Sequence, residues 1–358
     1  MVETKLPSDN FWKNKKIFLT GHTSFKGSWL KLWLNFLGAK VMGYSIDYPS
    51  YPICLYKIFN KEKLRKESIL NYKNLEKKIK KYRPNIIFHL AAQSIVSEAN
   101  EKPIENYNTN IIGTASVLEA AANSKYTKLV IIVTTDKCYE ENKDVKYYSE
   151  SSKLGGSEPY SASKSSAEII TKSYTIKYTK LNKKIITLRA GNVIGGGDWK
   201  KNRLIPDLIK SIEQNKSLEL RNPNFIRPWL HVLDCINGYL LAAEFAYKNK
   251  KIFNTWNFAP RLSNQITVIN LAKNLYDKFN IKKKIRLNKK KQFYEASRLN
   301  LNPSKAWVEL KWKSILNKKL LMNFTCDWYL NFYKKQNMKI FSINQIKKFY
   351  QLSIRKNN

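Results

Sequence analysis

Tyr160 and Lys164 stand four residues apart in the segment EPYSASKSSAE, a spacing that places both on one face of a helix. An ammonium beside a phenol favours the phenolate, which turns a tyrosine into a general base. Spacing alone is weak evidence, because Tyr139/Lys143 and Tyr247/Lys251 repeat it in this Lys- and Tyr-rich chain. What marks Tyr160 is its setting among small residues, downstream of the strand-like run LVIIVTTDKCY. That run ends in Thr134, Thr135, Asp136 and Lys137, beyond its apolar part. A threonine hydroxyl can share hydrogen bonds with the phenol and a substrate hydroxyl, while a neighbouring acid and amine divide proton donation and abstraction. A lysine serves as the base only where burial or nearby positive charge makes its neutral form accessible.

A second constellation lies in FLTGHTSFKGSWL, residues 18–30, which reads as a strand end, a tight loop and the first turn of a helix. Gly21 and Gly27 frame the pattern G-x-x-S-x-x-G around Thr23, Ser24, Phe25 and Lys26. Glycines serve in such a loop because the turn is tight, the backbone must approach phosphate and the helix must pack closely on the strand. The helix N-terminus adds N–H donors and a favourable dipole for an anion. Ser24 occupies the position where a third glycine is usual; its hydroxyl can donate to a phosphate oxygen, but a serine adopts positive φ only at a cost, so the loop is expected to work with reduced tolerance. Asp47 follows Gly27 by twenty residues at the end of the next strand, where a carboxylate accepts from adenosine ribose hydroxyls. It would repel an added 2′-phosphate, which favours NAD over NADP.

The elements that position these groups follow from hydrophobic patterning. Short apolar runs, KIFLTG, KVMGYSID, NIIFHLAA, KLVIIVTT and KIITLRAGNVIG, alternate with helix-length segments. Continuous apolar runs imply strands buried on both faces, joined by helical crossovers. The fold class predicted is α/β: a doubly wound parallel sheet of the Rossmann kind with a smaller C-terminal substrate-binding lobe. Residues 11–194 form the dinucleotide domain, with 228–260 returning to it; 195–330 form the lobe, and 331–358 a basic extension. The extension reads as a mildly amphipathic helix with Ile340, Ile343 and Ile346 among its apolar residues, packing on the body.

Composition sets outer bounds. A chain of 358 residues, 43% hydrophobic and 13% aromatic, has the apolar mass to fold into one large or two joined units. Its formal net charge of +38, from 65 Lys+Arg against 27 Asp+Glu, would by itself suggest nucleic acid or an anionic membrane. The lysines are scattered through every segment, however, and describe solvated faces more than one focused patch. The four cysteines, Cys54, Cys138, Cys235 and Cys326, are far apart and suggest neither disulfides nor a metal site. The N-terminal MVETKLPSDNFWKNKK lacks the charged-then-apolar order of a signal peptide, and no apolar stretch reaches membrane-spanning length. A cytoplasmic protein with no nucleic-acid, membrane or metal partner is expected.

The chain resembles the extended short-chain dehydrogenase/reductases that act on nucleotide sugars, from about Phe11 to Tyr329. The resemblance rests on FWKNKKIFLTGHTSFKGSWL, FHLAAQSIV, TNIIGT, TTDKCY, PYSASK, RAGNVIGGGDW, RLIPD, RNPNFIRPWLHV and WNFAP. Sugar dehydratases of this family usually carry Asp-Glu where this chain has Asp136-Lys137; the branch acting on CDP-glucose carries Asp-Lys. The resemblance implies a lyase in which Tyr160, helped by Lys164 and Thr135, takes the C4 hydroxyl proton while NAD accepts hydride from C4. It implies further that Lys137 removes the C5 proton, Asp136 protonates the departing C6 hydroxyl, and hydride returns to C6. It places Gly21, Thr23, Ser24, Phe25, Lys26, Gly27, Asp47, Ala91, Ala92, Gln93 and Asn110 around NAD. The positions matching the nucleotide-sugar side are Asn192, Arg203, Leu204 and Arg227, with Glu295 near the nucleotide ribose. The family suggests a homodimer or tetramer built through the Tyr160 helix. The chain departs from the family at Ser24, at Asn71 in place of an Asp near adenine, and at Ser97–Asn100. Two alternatives stay open: another nucleotide-sugar epimerase or dehydratase, and a non-catalytic descendant that binds NAD or nucleic acid.

Overall fold

Six parallel strands form the main sheet of this computed structural model, which describes residues 4–46, 55–59, 66–220, 222–260, 265–282, 285–287 and 299–354. They are β1 (Lys16–Thr20), β2 (Lys40–Tyr44), β3 (Ile86–His89), β4 (Leu129–Val133), β5 (Lys184–Ala190) and β6 (Phe253–Phe258). Their order across the sheet is β6-β5-β4-β3-β1-β2. The five apolar runs of the sequence are the first five strands, and β6 joins through residues 253–258, beside β5. The order reverses between β1 and β3, and ligands of doubly wound sheets bind at that switch point, outside the carboxyl edge.

Alternate strand residues enter two separate cores. Ile17, Leu19, Ile86, Phe88, Leu129 and Ile131 face one side, while Phe18, Ile87, Val130 and Ile132 face the other, all of them fully buried. On the first side lies α1 (Phe25–Phe36), whose Trp29, Leu30, Trp33 and Leu34 are fully buried. On the other side lie α2 (Tyr72–Tyr82), α3 (Gly113–Ala122) and α4 (Pro159–Ser173). This three-layer packing explains why strands buried on both faces read as unbroken apolar runs.

Beyond β5 the chain forms α5 (Leu204–Glu213), α6 (Val232–Lys248), α7 (Val268–Lys278), α8 (Lys318–Tyr333) and α9 (Met338–Ile354), with short two-stranded pairings between them. α6 packs against α1 on the first side of the main sheet. α9 lies on the same side: Ile346 and Phe349 are fully buried, and the Trp33 indole N–H donates to the Tyr350 hydroxyl at 3.2 Å. Ile340 points outward from that helix, 56% exposed. No described helix is long and apolar enough to cross a membrane.

Candidate active site

The loop after β1 turns at Gly21, whose φ of +70° is the left-handed conformation that glycine adopts without strain. A Cβ there would stand 2.6 Å from the Ala91 nitrogen, so Gly21 also lets β1 and β3 close together at the switch point. Gly27 is required by space instead: a Cβ would lie 2.1 Å from the Gly21 carbonyl oxygen. Ser24 corrects the expectation of strain. Its φ is −69°, it is the N-cap of α1, and its hydroxyl accepts from the Gly27 N–H at 3.2 Å while donating to the Gly21 carbonyl at 2.7 Å. The hydroxyl is therefore spent on closing the loop. The N–H groups of Phe25 and Lys26 remain as the orphan donors of the helix. Thr23 is buried beside them, and Ser24, Phe25 and Lys26 line the main cavity. Such a cradle fits a dinucleotide diphosphate.

The other positions expected around the cofactor divide by role. Asn110 sits in a wide π-helical turn, Asn108–Ile112, where its side chain accepts from the Gln93 N–H and donates to the Gln93 carbonyl, both at 2.9 Å. It also donates to the Ser163 hydroxyl on α4 at 2.9 Å, so Gln93 and Asn110 shape the loop after β3, while Ala92 lines the cavity. Asp47 lies outside the described residues, as does Glu295. Asn71, one of the family departures, is the N-cap of α2 and accepts from the Asn74 N–H at 3.1 Å.

α4 starts directly before the candidate base. Glu158 is its N-cap and accepts from the Tyr160 and Ser161 N–H groups at 2.7 and 2.9 Å, with Pro159 at the first helical position. Tyr160 and Lys164 are both buried and line one cavity of about 390 Å³ with Thr135, Asp136 and Lys137. The Lys164 ammonium donates to the Val133 carbonyl at 2.9 Å, and burial, reinforced by the Lys26 charge, lowers its pKa to about 8. Burial pushes the Tyr160 phenol up to about 12; the Thr135 hydroxyl and the Arg203 guanidinium pull it down, and Asp136 pushes it up. The Arg203 guanidinium draws the phenol's pKa down, and the Lys164 ammonium is turned to the main chain at the end of β4.

Thr135 caps a short turn, Asp136–Cys138, and its hydroxyl donates to Asp136 Oδ1 at 2.8 Å. Burial raises the Asp136 carboxyl above its ordinary range, although Lys137, Thr135 and Arg227 oppose the shift. An acid and an amine thus stand side by side in one cavity with a phenol, and the hydroxyl that donates to the acid also draws the phenol's pKa down.

Asn192, Arg203, Leu204 and Arg227 line the same cavity. Arg203 is held from two sides, donating to Asp198 Oδ2 at 3.1 Å and to the Ser94 hydroxyl at 3.2 Å. The departing Ser97–Asn100 stretch braces the turn that precedes α5. Ser97 accepts from the Asn202 amide at 3.3 Å, and Glu98 pairs with Lys200 at 3.0 Å. The Arg227 guanidinium lies 4.9 Å from the centre of the Phe225 ring, which also lines the cavity. Of the groups that hold these two arginines, Asp198 and Phe225 are five and two residues away in the chain, whereas Ser94 comes from the loop after β3. Among the described residues no cluster of His, Cys, Asp and Glu could hold a metal ion.

Comparison with known proteins gives a consistent result. The chain is 36% identical over 356 residues to CDP-glucose 4,6-dehydratase of Salmonella typhimurium, covering 97% of this chain and 99% of that one. Its fold matches dTDP-glucose 4,6-dehydratase of Bacillus anthracis in complex with NAD, with a TM-score of 0.73 at 23% identity over 88% of this chain and 97% of that one. It also matches UDP-glucose 4-epimerase of Thermotoga maritima with UDP-glucose, with a TM-score of 0.77 at 22% identity over 89% and 99% of the two chains. Residues 17–255 fit the model of the NAD dependent epimerase/dehydratase family, so a parallel sheet with its glycine loop at the switch point and a Tyr-Lys helix beside it now has its place: the chain belongs to that family.

Proposed function

We propose that this protein removes water from CDP-glucose, giving CDP-4-keto-6-deoxyglucose, the kind of activated deoxysugar used in polysaccharide synthesis. The observation that carries the reading is Asp136 and Lys137 lining one cavity with Tyr160. An epimerase has no use for a proton pair that eliminates water. Gly21, Gly27 and the N–H groups of Phe25 and Lys26 hold the diphosphate of NAD, with Lys164 on the nicotinamide side. NAD there supplies a reversible two-electron acceptor for C4 of the sugar.

The residues then divide the proton work. Tyr160 takes the C4 hydroxyl proton, and the resulting ketone acidifies the hydrogen on C5. Lys137 removes that proton. Asp136, whose carboxyl burial raises above its ordinary range, gives a proton to the C6 hydroxyl, which leaves as water. The Thr135 hydroxyl, which donates to Asp136, passes the proton won by Tyr160 back to that acid. Lys137 returns a proton to C5 and the hydride given up by C4 returns to C6, which completes the 4-keto-6-deoxy sugar and restores the oxidised cofactor. Arg203, Arg227 and Asn192 hold the sugar nucleotide, guanidinium groups being suited to diphosphate oxygens. The same reading makes the enzyme cytoplasmic and homo-oligomeric, without a nucleic-acid partner.

The test is a panel of CDP-, dTDP-, GDP- and UDP-hexoses incubated with enzyme and NAD, each followed for a 4-keto-6-deoxy product by mass and alkaline absorbance. Turnover of CDP-glucose in preference to the others is expected. No product from any of them would overturn the reading, and a C4 epimer in place of a dehydrated sugar would replace it with the epimerase alternative.

A further inference from the structure

Behind the reaction centre lies a buried ion pair that the proton work does not use. Glu168 follows Lys164 by four residues and Tyr160 by eight, on the same face of α4. Its Oε1 accepts from the Arg189 Nε–H at 2.8 Å and from the Thr134 hydroxyl at 2.5 Å, and its Oε2 accepts from an Arg189 terminal N–H at 2.8 Å. The two side chains are 1% and 4% exposed. The other Arg189 terminal nitrogen donates to the Tyr139 hydroxyl at 2.7 Å, which donates onward to Asn257 on β6 at 2.8 Å.

We propose that the Glu168–Arg189 pair is a positioning element of the reaction centre, setting the register between the Tyr160 helix and the strand ends that face it. Each segment that it ties carries a group of the site. α4 bears Tyr160 and Lys164, Thr134 precedes Thr135 and Asp136, and Arg189 precedes the Ala190–Asn192 stretch that lines the cavity. Stability alone is a weak reason for such a pair, since buried ion pairs are often replaced by apolar side chains of similar volume at no loss. A bidentate fork is directional, however, and fixes both the rotation and the axial position of a helix, which apolar contacts leave free to slide. Burial disfavours both charges, yet their mutual attraction prevails, holding Arg189 above and Glu168 below their ordinary ranges.

The proposal rests on the dehydratase reading for its catalytic readout. The test compares the double variant Glu168→Leu/Arg189→Met with Glu168→Gln and Arg189→Lys. The double variant is expected to melt near the wild-type temperature with KM little changed and kcat down about 100-fold, the scale of a misplacement of about 1 Å. Its crystal structure is expected to show α4 displaced along β4 and β5. Arg189→Lys, which keeps the charge and loses the fork, should fall between. Wild-type kcat in the folded double variant with α4 in place would overturn the proposal, and so would full kcat in Glu168→Gln should the double variant fail to fold. If the wild-type enzyme dehydrates no nucleotide sugar, the proposed function fails, while the position of α4 in the variant crystal still decides the role of the pair.

Discussion

A Cβ on Gly191 would stand 2.9 Å from Asp136 Oδ2, so the chain just past β5 is bare where the buried acid in the turn after β4 needs room. The obstructing atom is the tip of a side chain, which can move aside at little cost to folding. Gly191→Ala should therefore melt near the wild-type temperature while kcat falls about tenfold or more through displacement of the acid. Unchanged kcat would show that the carboxyl has no fixed place in the reaction.

Lys164 couples catalysis to stability through pH. Its folded pKa of about 8 lies below the ordinary lysine value of 10.5, so the unfolded chain binds more protons between those limits and stability rises with pH across them. Below pH 8 the charged form is a burden of about 3 kcal/mol, at about 1.4 kcal/mol per unit. Lys164→Met should raise stability near pH 7 by about 2 kcal/mol after loss of the bond to Val133, an advantage that fades as pH climbs from 8 to 10.5. Its activity should drop by at least ~100-fold. Denaturant melts of both proteins across that range measure the gain; one that grew with pH would contradict it.

The phosphate loop separates two glycine roles from a serine role. Gly27→Ala should lose NAD binding, because its Cβ would collide with the Gly21 carbonyl. Ser24→Ala should cost about 1 kcal/mol and Ser24→Gly only a few tenths, as for other helix N-caps. A stabilised Ser24→Gly would restore the strain that the sequence suggested.

Asp198 restrains Arg203, the guanidinium expected to meet substrate diphosphate. Asp198→Ala should raise KM for the nucleotide sugar about tenfold and leave kcat nearly intact, as expected for lost binding shared by ground and transition states. An equal fall in kcat would place Asp198 in the chemistry.

Sequence legibility followed the range of the interactions. Five strands were readable because each is a continuous apolar run buried on both sides, and the shared helix face of Tyr160 and Lys164 because their spacing is local. The roles of Asn71 and Ser24 as caps are equally local, three residues from their partners, but comparison with a family pattern drew attention to what they lack. The turning of Lys164 to Val133 and the Glu168–Arg189 pair depend on how α4, β4 and β5 meet, which no spacing along the chain encodes.

The most direct measurement is the fate of the sugar hydrogens when CDP-glucose and NAD are incubated with the enzyme in deuterium oxide. Wild-type enzyme should give a 4-keto-6-deoxy sugar with deuterium at C5 and the original C4 hydrogen at C6, and Lys137→Ala should give neither the C5 deuterium nor dehydration. A product that keeps its C5 hydrogen, or a Lys137→Ala variant that still eliminates water at the wild-type rate, would contradict the assignment of the Asp136–Lys137 pair.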